Sequence, residues 1–589
     1  MKIQKKEIFF IVGFIICLFL AFVKHYDTGT NNYRSQLWGD PSGYYVYLPA
    51  TFIYGYHASD FPEGIVKNVG FGFTLNQETN KMRTKYTSGI AILIVPFFLI
   101  VHLIAIFFSL DPSGFSPVYY KMIDVAAVFY LTLGLYFLWK FLCYYFSKKI
   151  STLTIFILFL STNLYYYSIS ATLFTHVYSF FLFSLFLYVL KRHIIEKPPK
   201  SKHIFLISII SALIVLIRPT NIVFIVAAFF LDINSVLDFK LRIRHFLHPV
   251  SILMVILAGI IIFLPQSLYW HFLTNKFIDY TYKGEGFTNW NAPKIIEVLI
   301  STTNGLIVWT PIFVFIIFSM FLTVFKREKN SIPALITFCL TLYLCASWHM
   351  WYFGCGFSQR SFVEYLALFS VPVAYGLEYL NHIKNSIFRI VIYLLIVFCI
   401  YFNLKMTYTY NVCFFGGTWD WKEYSNYFDK NRMFGFTSSQ YCFFNNFDGK
   451  IWNPKATWLQ TVIKSKNSYS GDAVSKIDKI NKISSGFESV LLNIGHRPVQ
   501  SAEVSFQSFV YNSPDKFYIV CEIDSSEISV LNQKKNLRSL CGKIRQWNKI
   551  NHKFNIPLSM NQYHTIKLYV LNLGKDSLLI DDLKIVFRY

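Results

Sequence analysis

One carboxylate, Asp40, stands in "WGDPSGYYVYLPATF" (38–52), among glycine, proline and tyrosine and shortly after the first apolar segment. In a solvated loop an Asp ahead of Pro41 needs no more explanation than a turn. The stretch that follows, "GYYVYLPATFIYGY", spaces tyrosines and apolar residues as an interfacial helix does, which would hold Asp40 at a membrane surface. A carboxylate fixed there can act as general base on a hydroxyl.

Three cations could meet an anion near it. The same loop ends in "NKMRTKYTSG", and Lys85, next to an apolar run, could bind a lipid phosphate, whereas Lys81 and Arg83 read as ordinary attraction to anionic headgroups. Arg218, in "LIVLIRPTNIVF", is embedded between two short apolar segments, where an unpaired guanidinium is costly and faces a cavity or an anionic partner. The loop "SWHMWYFGCGFSQRSFVEYL" (347–366) carries His349, Arg360 and Glu364. Arg360 and Glu364 have i, i+4 spacing and could pair; a phosphate or carboxylate ligand for Arg360 is the other reading.

The loop "DYTYKGEGFTNWNAPKIIEVL" (279–299) brackets Glu285 with two glycines and adds Phe287, Trp290 and Asn291, residue types that bind sugar rings. A glycine-rich turn with an exposed Glu is its plainer explanation. His176, in "SISATLFTHVYSFF", is a helix-end histidine suited to packing and hydrogen bonding in support of a site. Walker A, GxGxxG after a strand, HExxH and GxSxG patterns do not occur in the sequence, so nucleotide-driven transport, zinc proteolysis and serine hydrolysis lack support. Of the ten cysteines, Cys17, Cys143, Cys339, Cys345 and Cys399 fall in apolar stretches, and no Cys/His spacing suggests a metal site. Cys355, Cys413, Cys442, Cys521 and Cys541 fall on the side expected outside, where Cys521 and Cys541 could form a disulfide.

These residues need a scaffold. The chain has 589 residues, 54% hydrophobic, 19% aromatic and only 15% charged, too apolar for an ordinary soluble protein. Its net charge of +23 sits in short clusters between apolar segments, where topology explains it better than nucleic acid does. The first segment, Ile8 to Val23, lacks a small-residue cleavage site and reads as a retained helix with its N-terminus inside. Further stretches long enough to span, about 20 residues each, lie near 120–146, 150–168, 172–190, 249–268, 305–325, 332–348, 362–380 and 389–404. A short pair, 203–217 and 219–232, is broken at Arg218-Pro219, giving eleven spans in all.

The apolar stretch 88–108 decides the topology. If it crosses, Lys148, Lys149, the loop 191–203 and "KREK" (326–329) face outward, against the positive-inside bias. If it lies along the outer surface, they face the cytoplasm with Lys240, Arg242, Arg244, Lys384 and Arg389, which fits every short loop. Loops 24–85, 168–175, 269–304 and 347–361 are then outside, with everything from about 405. There the pattern changes to short alternating runs, "AEVSFQSFVY", "KFYIVCEI", "HTIKLYVLNL" and "LLIDDLKIVFRY". The expected organisation is a helical domain over 1–404, an aromatic-rich linking segment over 405–485 and a β-sandwich over 486–589.

Taken together, "WGDPSGYYVYLP", "RTKYTSGIAILIVPFF" and their order resemble the GT-C membrane glycosyltransferases, the superfamily of the protein O-mannosyltransferases and the lipid A aminoarabinose transferase. "RPTN", "YKGEGFTNW" and "FGCGFSQRSF" are similar to segments of uncharacterised bacterial members. The resemblance covers about residues 1–405 and implies a polytopic α-helical membrane fold with a surface-lying helix. It implies that Asp40 activates the acceptor and that Lys85, with Arg218 and Arg360, binds the lipid phosphate. Tyr44, Tyr45, His176, Glu285 and Trp290 are then candidates for the sugar or acceptor site. Family members often carry a second acidic residue where "SATLFTHVYSFF" offers Thr175 and His176. The resemblance therefore assigns no metal ligand, while leaving room for a divalent cation. The terminal "LLIDDLKIVFRY" resembles the last strand of a jelly-roll carbohydrate-binding module.

The implied activity is inverting transfer of a sugar from a polyprenyl-phosphate-linked donor to an envelope glycan, lipid or protein acceptor, at the outer face of a bacterial inner membrane. A transporter or flippase of lipid-linked saccharides would use the same basic and aromatic residues but would need no base, and inverted repeats, which would favour it, are not evident in the sequence. A membrane-anchored glycan-binding or sensory protein is the third reading, in which the soluble domain alone carries the function.

Overall fold

The computed structural model describes residues 5–26, 30, 35–196, 200–282, 284–410, 421, 424, 440–445, 447, 457–458, 461–491, 494, 499–525, 528–557, 560 and 564–588. The chain divides into two compact units, Met1–Ser425 and Asn426–Tyr589.

Uncharged runs rich in Leu, Ile and Phe must satisfy their backbone groups within the segment when no water is at hand, and the first unit is accordingly helical. Among the described residues six helices are long and apolar enough to cross a membrane: Glu7–Lys24, Gly89–Phe107, Pro117–Leu142, Thr175–Ile195, Pro249–Thr274 and Ser386–Thr409. Four shorter apolar helices, Ser201–Ile217, Pro219–Phe229, Phe313–Phe325 and Ser331–Ser347, join them, as do Lys148–Ser161 and Leu366–His382. Helix Thr175–Leu190 is buried almost all round. By contrast, Ile252, Ile256, Ile260 and Leu264 on one peripheral helix and Ile390, Leu394 and Val397 on another are exposed. Apolar surface on that scale belongs against lipid chains, and the protein is a multi-pass membrane protein.

Two local features position the site. Helix Ser201–Ile217 stops because a residue ahead of proline is driven out of helical geometry, and Arg218 is extended, with φ −150° and ψ 113°. Helix Gly89–Phe107 starts where Thr87 Oγ1 donates to the Leu216 carbonyl at 2.5 Å. Farther along it, His102 Nδ1 lies 2.6 Å from the Tyr119 hydroxyl at the start of Pro117–Leu142. Nearer its start the Leu93 carbonyl accepts from the Tyr130 hydroxyl at 2.6 Å and Phe97 packs on Phe129, so Gly89–Phe107 runs alongside the first half of Pro117–Leu142.

The second unit is an antiparallel β-sandwich. One sheet runs Ile528–Asn536, Phe517–Ser525, Thr565–Asn572, Gly486–Val490, Thr457–Trp458. The other runs Trp547–Asn555, Ser501–Val510, Leu578–Arg588, Ala473–Ile477, Val462–Lys464, with Gln440–Asn445 also paired to Leu578–Arg588. In Ser501–Val510 strict alternation sends Val504, Phe506 and Val510 inward to meet Ile519, Ile523, Ile566 and Leu568. Strands upstream of 486 contribute to both sheets. They are short, and Val462–Lys464 is exposed along its length, so the alternation that marks the later strands is missing.

Two expectations are corrected. Cys521 and Cys541 are both free thiols, Cys521 buried in the sandwich core, whereas Cys355 is disulfide-bonded. Cys413 and the side chain of Cys442 lie outside the described residues. Arg360 and Glu364 do not pair with each other; the residues 360–362 form a 3-10 turn rather than an α-helix, and each side chain finds a distant partner.

Candidate active site

Asp40 opens the short helix Asp40–Tyr45, with Pro41 in its first turn and Gly39 before it at φ 70°, a left-handed value that glycine adopts without strain. On this helix Gly43 is required by space. A Cβ there would lie 2.2 Å from the Tyr86 ring and 2.4 Å from the Gly72 carbonyl. With no side chain in the way, Tyr86 lies against the helix and its hydroxyl donates to Asp40 Oδ1 at 2.5 Å. Burial, and then the charge of Asp40, push the Tyr86 phenol well above its usual value, so it stays a donor. The other oxygen, Oδ2, faces Arg360 Nη2 at 3.3 Å, and the Asp40 side chain keeps 36% of its surface exposed. The carboxylate is thus oriented on two sides and open on a third.

Arg360 is held over the rings of Phe174 and Phe353, 5.1 and 5.6 Å from their centroids. Arg218, thrown out by the helix break, donates from Nη1 to Glu364 Oε1 at 2.9 Å and from Nη2 to Ser361 Oγ at 3.0 Å. Glu364 is fully buried, and its second oxygen lies 2.8 Å from His176 Nδ1. His176 therefore meets the site through Glu364, as a support for Arg218.

Lys85 follows the same economy. Its Nζ is 2.5 Å from Glu285 Oε1, and it lies over the Tyr86 and Tyr282 rings at 5.5 and 5.4 Å. The two segments are joined by Thr281 Oγ1 donating to the Lys85 carbonyl at 2.5 Å, and within the second the Tyr280 hydroxyl donates to the Glu285 carbonyl at 2.8 Å. The Tyr44 ring is 4.5 Å from that of Tyr86, beside Asp40.

Asp40, Arg360, Tyr44, Lys85 and Glu285 are thereby linked through Tyr86, and Arg218 and His176 through Glu364. Tyr45 is not among them: it is fully buried, packs on Phe98 and Phe115, and donates to the Gly114 carbonyl. Trp290 packs at 5.0 Å on Tyr343 and at 6.0 Å on Phe287, half exposed, with no described contact to the Asp40 group.

Sequence reasoning passed over Asp124. Buried in helix Pro117–Leu142, it accepts from Gln36 at 2.8 Å and Thr172 at 3.0 Å and lies 3.0 Å from His25 Nδ1, tying down the segment that leads to Asp40. A carboxylate within an apolar run was the signal for it. Tyr86 and Tyr282 gave none, being two of 40 tyrosines.

The donor set does not fit a divalent cation. Asp40 offers one partly exposed carboxylate with a guanidinium against it, and Glu285 and Glu364 are each taken up by a cation. Among the described residues no three His, Cys, Asp or Glu side chains come together as a metal site.

No protein-family model and no curated protein matches the chain. Among solved structures it is similar to the archaeal oligosaccharyltransferase AglB from Archaeoglobus fulgidus, in complex with an inhibitory peptide and a dolichol-phosphate. Identity is 15% and the TM-score 0.37, over 68% of this chain and 55% of that one. It is similar to the arabinosyltransferase EmbB from Mycobacterium smegmatis at 9% identity and TM-score 0.30, over 97% of this chain and 64% of that one. It also resembles the CBM22-1 xylan-binding domain from Paenibacillus barcinonensis Xyn10C at 13% identity and TM-score 0.18, over 25% of this chain and 92% of that domain. The chain thus spans less than two thirds of either enzyme's length. Likenesses of this degree leave the chemistry to be argued from the residues themselves.

Proposed function

We propose that the protein is an integral membrane glycosyltransferase that moves a sugar from a polyprenyl-phosphate-linked donor to an envelope glycan, lipid or protein acceptor. The observation that carries this reading is the open, oriented carboxylate of Asp40 beside Arg360, with Lys85 linked to it through Tyr86 and Arg218 held separately by Glu364. A binding protein or flippase has use for the cations; only a reaction has use for the base.

In the proposed step the acceptor hydroxyl approaches the exposed side of Asp40 and attacks the anomeric carbon from the face opposite the phosphate. Its proton passes to Asp40, the new carbon–oxygen bond forms, and the bond to phosphate oxygen breaks, leaving its electron pair on the polyprenyl phosphate. Tyr86 and Arg360 keep the carboxylate aimed. Arg360, Arg218 and Lys85 stabilise the charge that develops on the leaving phosphate. Tyr44, its ring tilted against that of Tyr86, offers a ring face to the sugar. No step is routed through a metal.

The site end of the bundle would face the outside of a bacterial inner membrane, with the N-terminus in the cytoplasm and the sandwich outside. That orientation rests on the distribution of Lys and Arg among the short loops. The sandwich, over 486–589 and its upstream strands, would hold the acceptor glycan. Purified wild type and Asp40→Asn, assayed for transfer from polyprenyl-phosphate sugars to a cell-envelope extract, test the reading. Transfer by the wild type that is lost in the variant is expected. Full activity in the variant would remove Asp40 as the base, and donor binding by both without transfer by either would favour the flippase.

A further inference from the structure

Among the described residues the three cations of the site are matched one to one by carboxylates: Arg360 faces Asp40, Arg218 faces Glu364 and Lys85 faces Glu285. An incoming phosphate can gain a full cation there only by displacing one of those carboxylates.

The three are not equally displaceable. Glu364 is fully buried, with Arg218 on one oxygen and His176 on the other, and releasing it would strand a charge in the interior. Asp40 is held by Tyr86 as well as by Arg360. Glu285 is 31% exposed, and among the described residues Lys85 is the one partner of its carboxylate. It stands between Gly284, at φ 83°, and Gly286, and a Cβ at either position would meet nothing within 4 Å. The backbone here is held, the Glu285 N–H donating to the Tyr282 carbonyl and the Glu285 carbonyl accepting from Tyr280, so release of Lys85 is a rotation of the side chain alone, toward its exposed side.

We propose that Glu285 is an exchangeable placeholder for a phosphate on Lys85, and so a specificity-determining residue of the donor site. This rests on the reading that Lys85 meets a lipid phosphate. On arrival the phosphate takes the ammonium and Glu285 swings off it. Lys85 exchanges one negative partner for another, and the one-to-one match is kept when the newcomer is a singly charged phosphodiester. A weaker or poorly placed anion fails to displace the carboxylate, so Glu285 filters what Lys85 accepts. As a competitor, Glu285 lowers the apparent affinity for the phosphate it makes way for.

The test is binding, read apart from transfer. Full-length protein in nanodiscs of uncharged lipid is titrated with polyprenyl phosphate, with inorganic phosphate, and with phosphatidylglycerol, as wild type, Glu285→Gln, Lys85→Gln and the double variant. Expected is roughly two- to fivefold tighter binding of polyprenyl phosphate by Glu285→Gln, the size of one partly exposed ion pair. The gain should vanish when Lys85 is also replaced. A matching gain for inorganic phosphate assigns the subsite to phosphate in general, and a gain for phosphatidylglycerol assigns it to lipid headgroups; both keep the exchange. Unchanged or weaker binding of all three by Glu285→Gln overturns it, as does a gain that survives Lys85→Gln. The two readings fail separately. Tighter binding by Glu285→Gln in a protein that transfers no sugar would sink the enzyme and keep the exchange. Transfer with unaltered binding would do the reverse.

Discussion

Two polar clusters, one buried and one partly open, sit at opposite ends of the helix Thr175–Leu190 and use their carboxylates in different ways. At the far end Asp232 takes Lys191 at 2.7 Å and Tyr145 at 2.6 Å on one oxygen and Asn330 at 3.0 Å on the other, with 10% of its side chain exposed. Lys191 also meets Glu196 at 2.7 Å. That cluster joins the ends of Pro117–Leu142 and Thr175–Leu190 to the turns after Phe229 and Phe325, and three of the roughly four acceptor positions of Asp232 are filled. Asp40 has two partners and an open side. A carboxylate so enclosed can hold helices together; one that is aimed and accessible can accept a proton.

The comparison is open to attack from both sides. Asp40→Asn should lower transfer by roughly 10²- to 10⁴-fold while leaving thermal unfolding in detergent unchanged, since the amide keeps the shape but not the basicity. A marked loss of thermal stability instead would make Asp40 a structural residue like Asp232. Asp232→Ala should do the opposite, costing about 2 kcal/mol of stability because Tyr145 and Asn330 lose their acceptor while Lys191 keeps only Glu196, with transfer per folded molecule preserved. Equal losses in both assays would erase the contrast. Tyr86→Phe removes one of the two bonds that aim Asp40, and transfer should fall by about tenfold with the donor affinity intact, the scale of one hydrogen bond to a charged group. Trp290→Ala, outside the linked group, should change transfer by less than about twofold. A larger loss there would enlarge the site.

Much of this was legible in the sequence, and for a definite reason. Charges in apolar surroundings stand out, and so Asp40, Lys85, Arg218 and Arg360 could be singled out one by one. Their partners could not. Arg360 reaches Asp40 across 320 positions, Arg218 reaches Glu364 across 146 and His176 reaches it across 188. Local spacing offered Glu364 to Arg360 because i, i+4 is the only geometry a sequence displays, and the 3-10 turn there removes it. In the sandwich the long alternating strands were readable, but the bulge between Asp581 and Lys584 and the short strands before 486 were not. Alternation needs length to be recognised, and a bulge breaks it.

Gly43 meets neither substrate nor cation, yet it is the thickness gauge of the site. The Tyr86 ring and the Gly72 carbonyl pass so close to its Cα that even a methyl group would have to displace one of them. Gly43→Ala would therefore move the Tyr86 hydroxyl relative to Asp40 without altering any group that takes part in the reaction. A survey of variants that scored residues by their distance to chemistry would miss this position, whereas one that scored tolerance to added volume would rank it with Asp40.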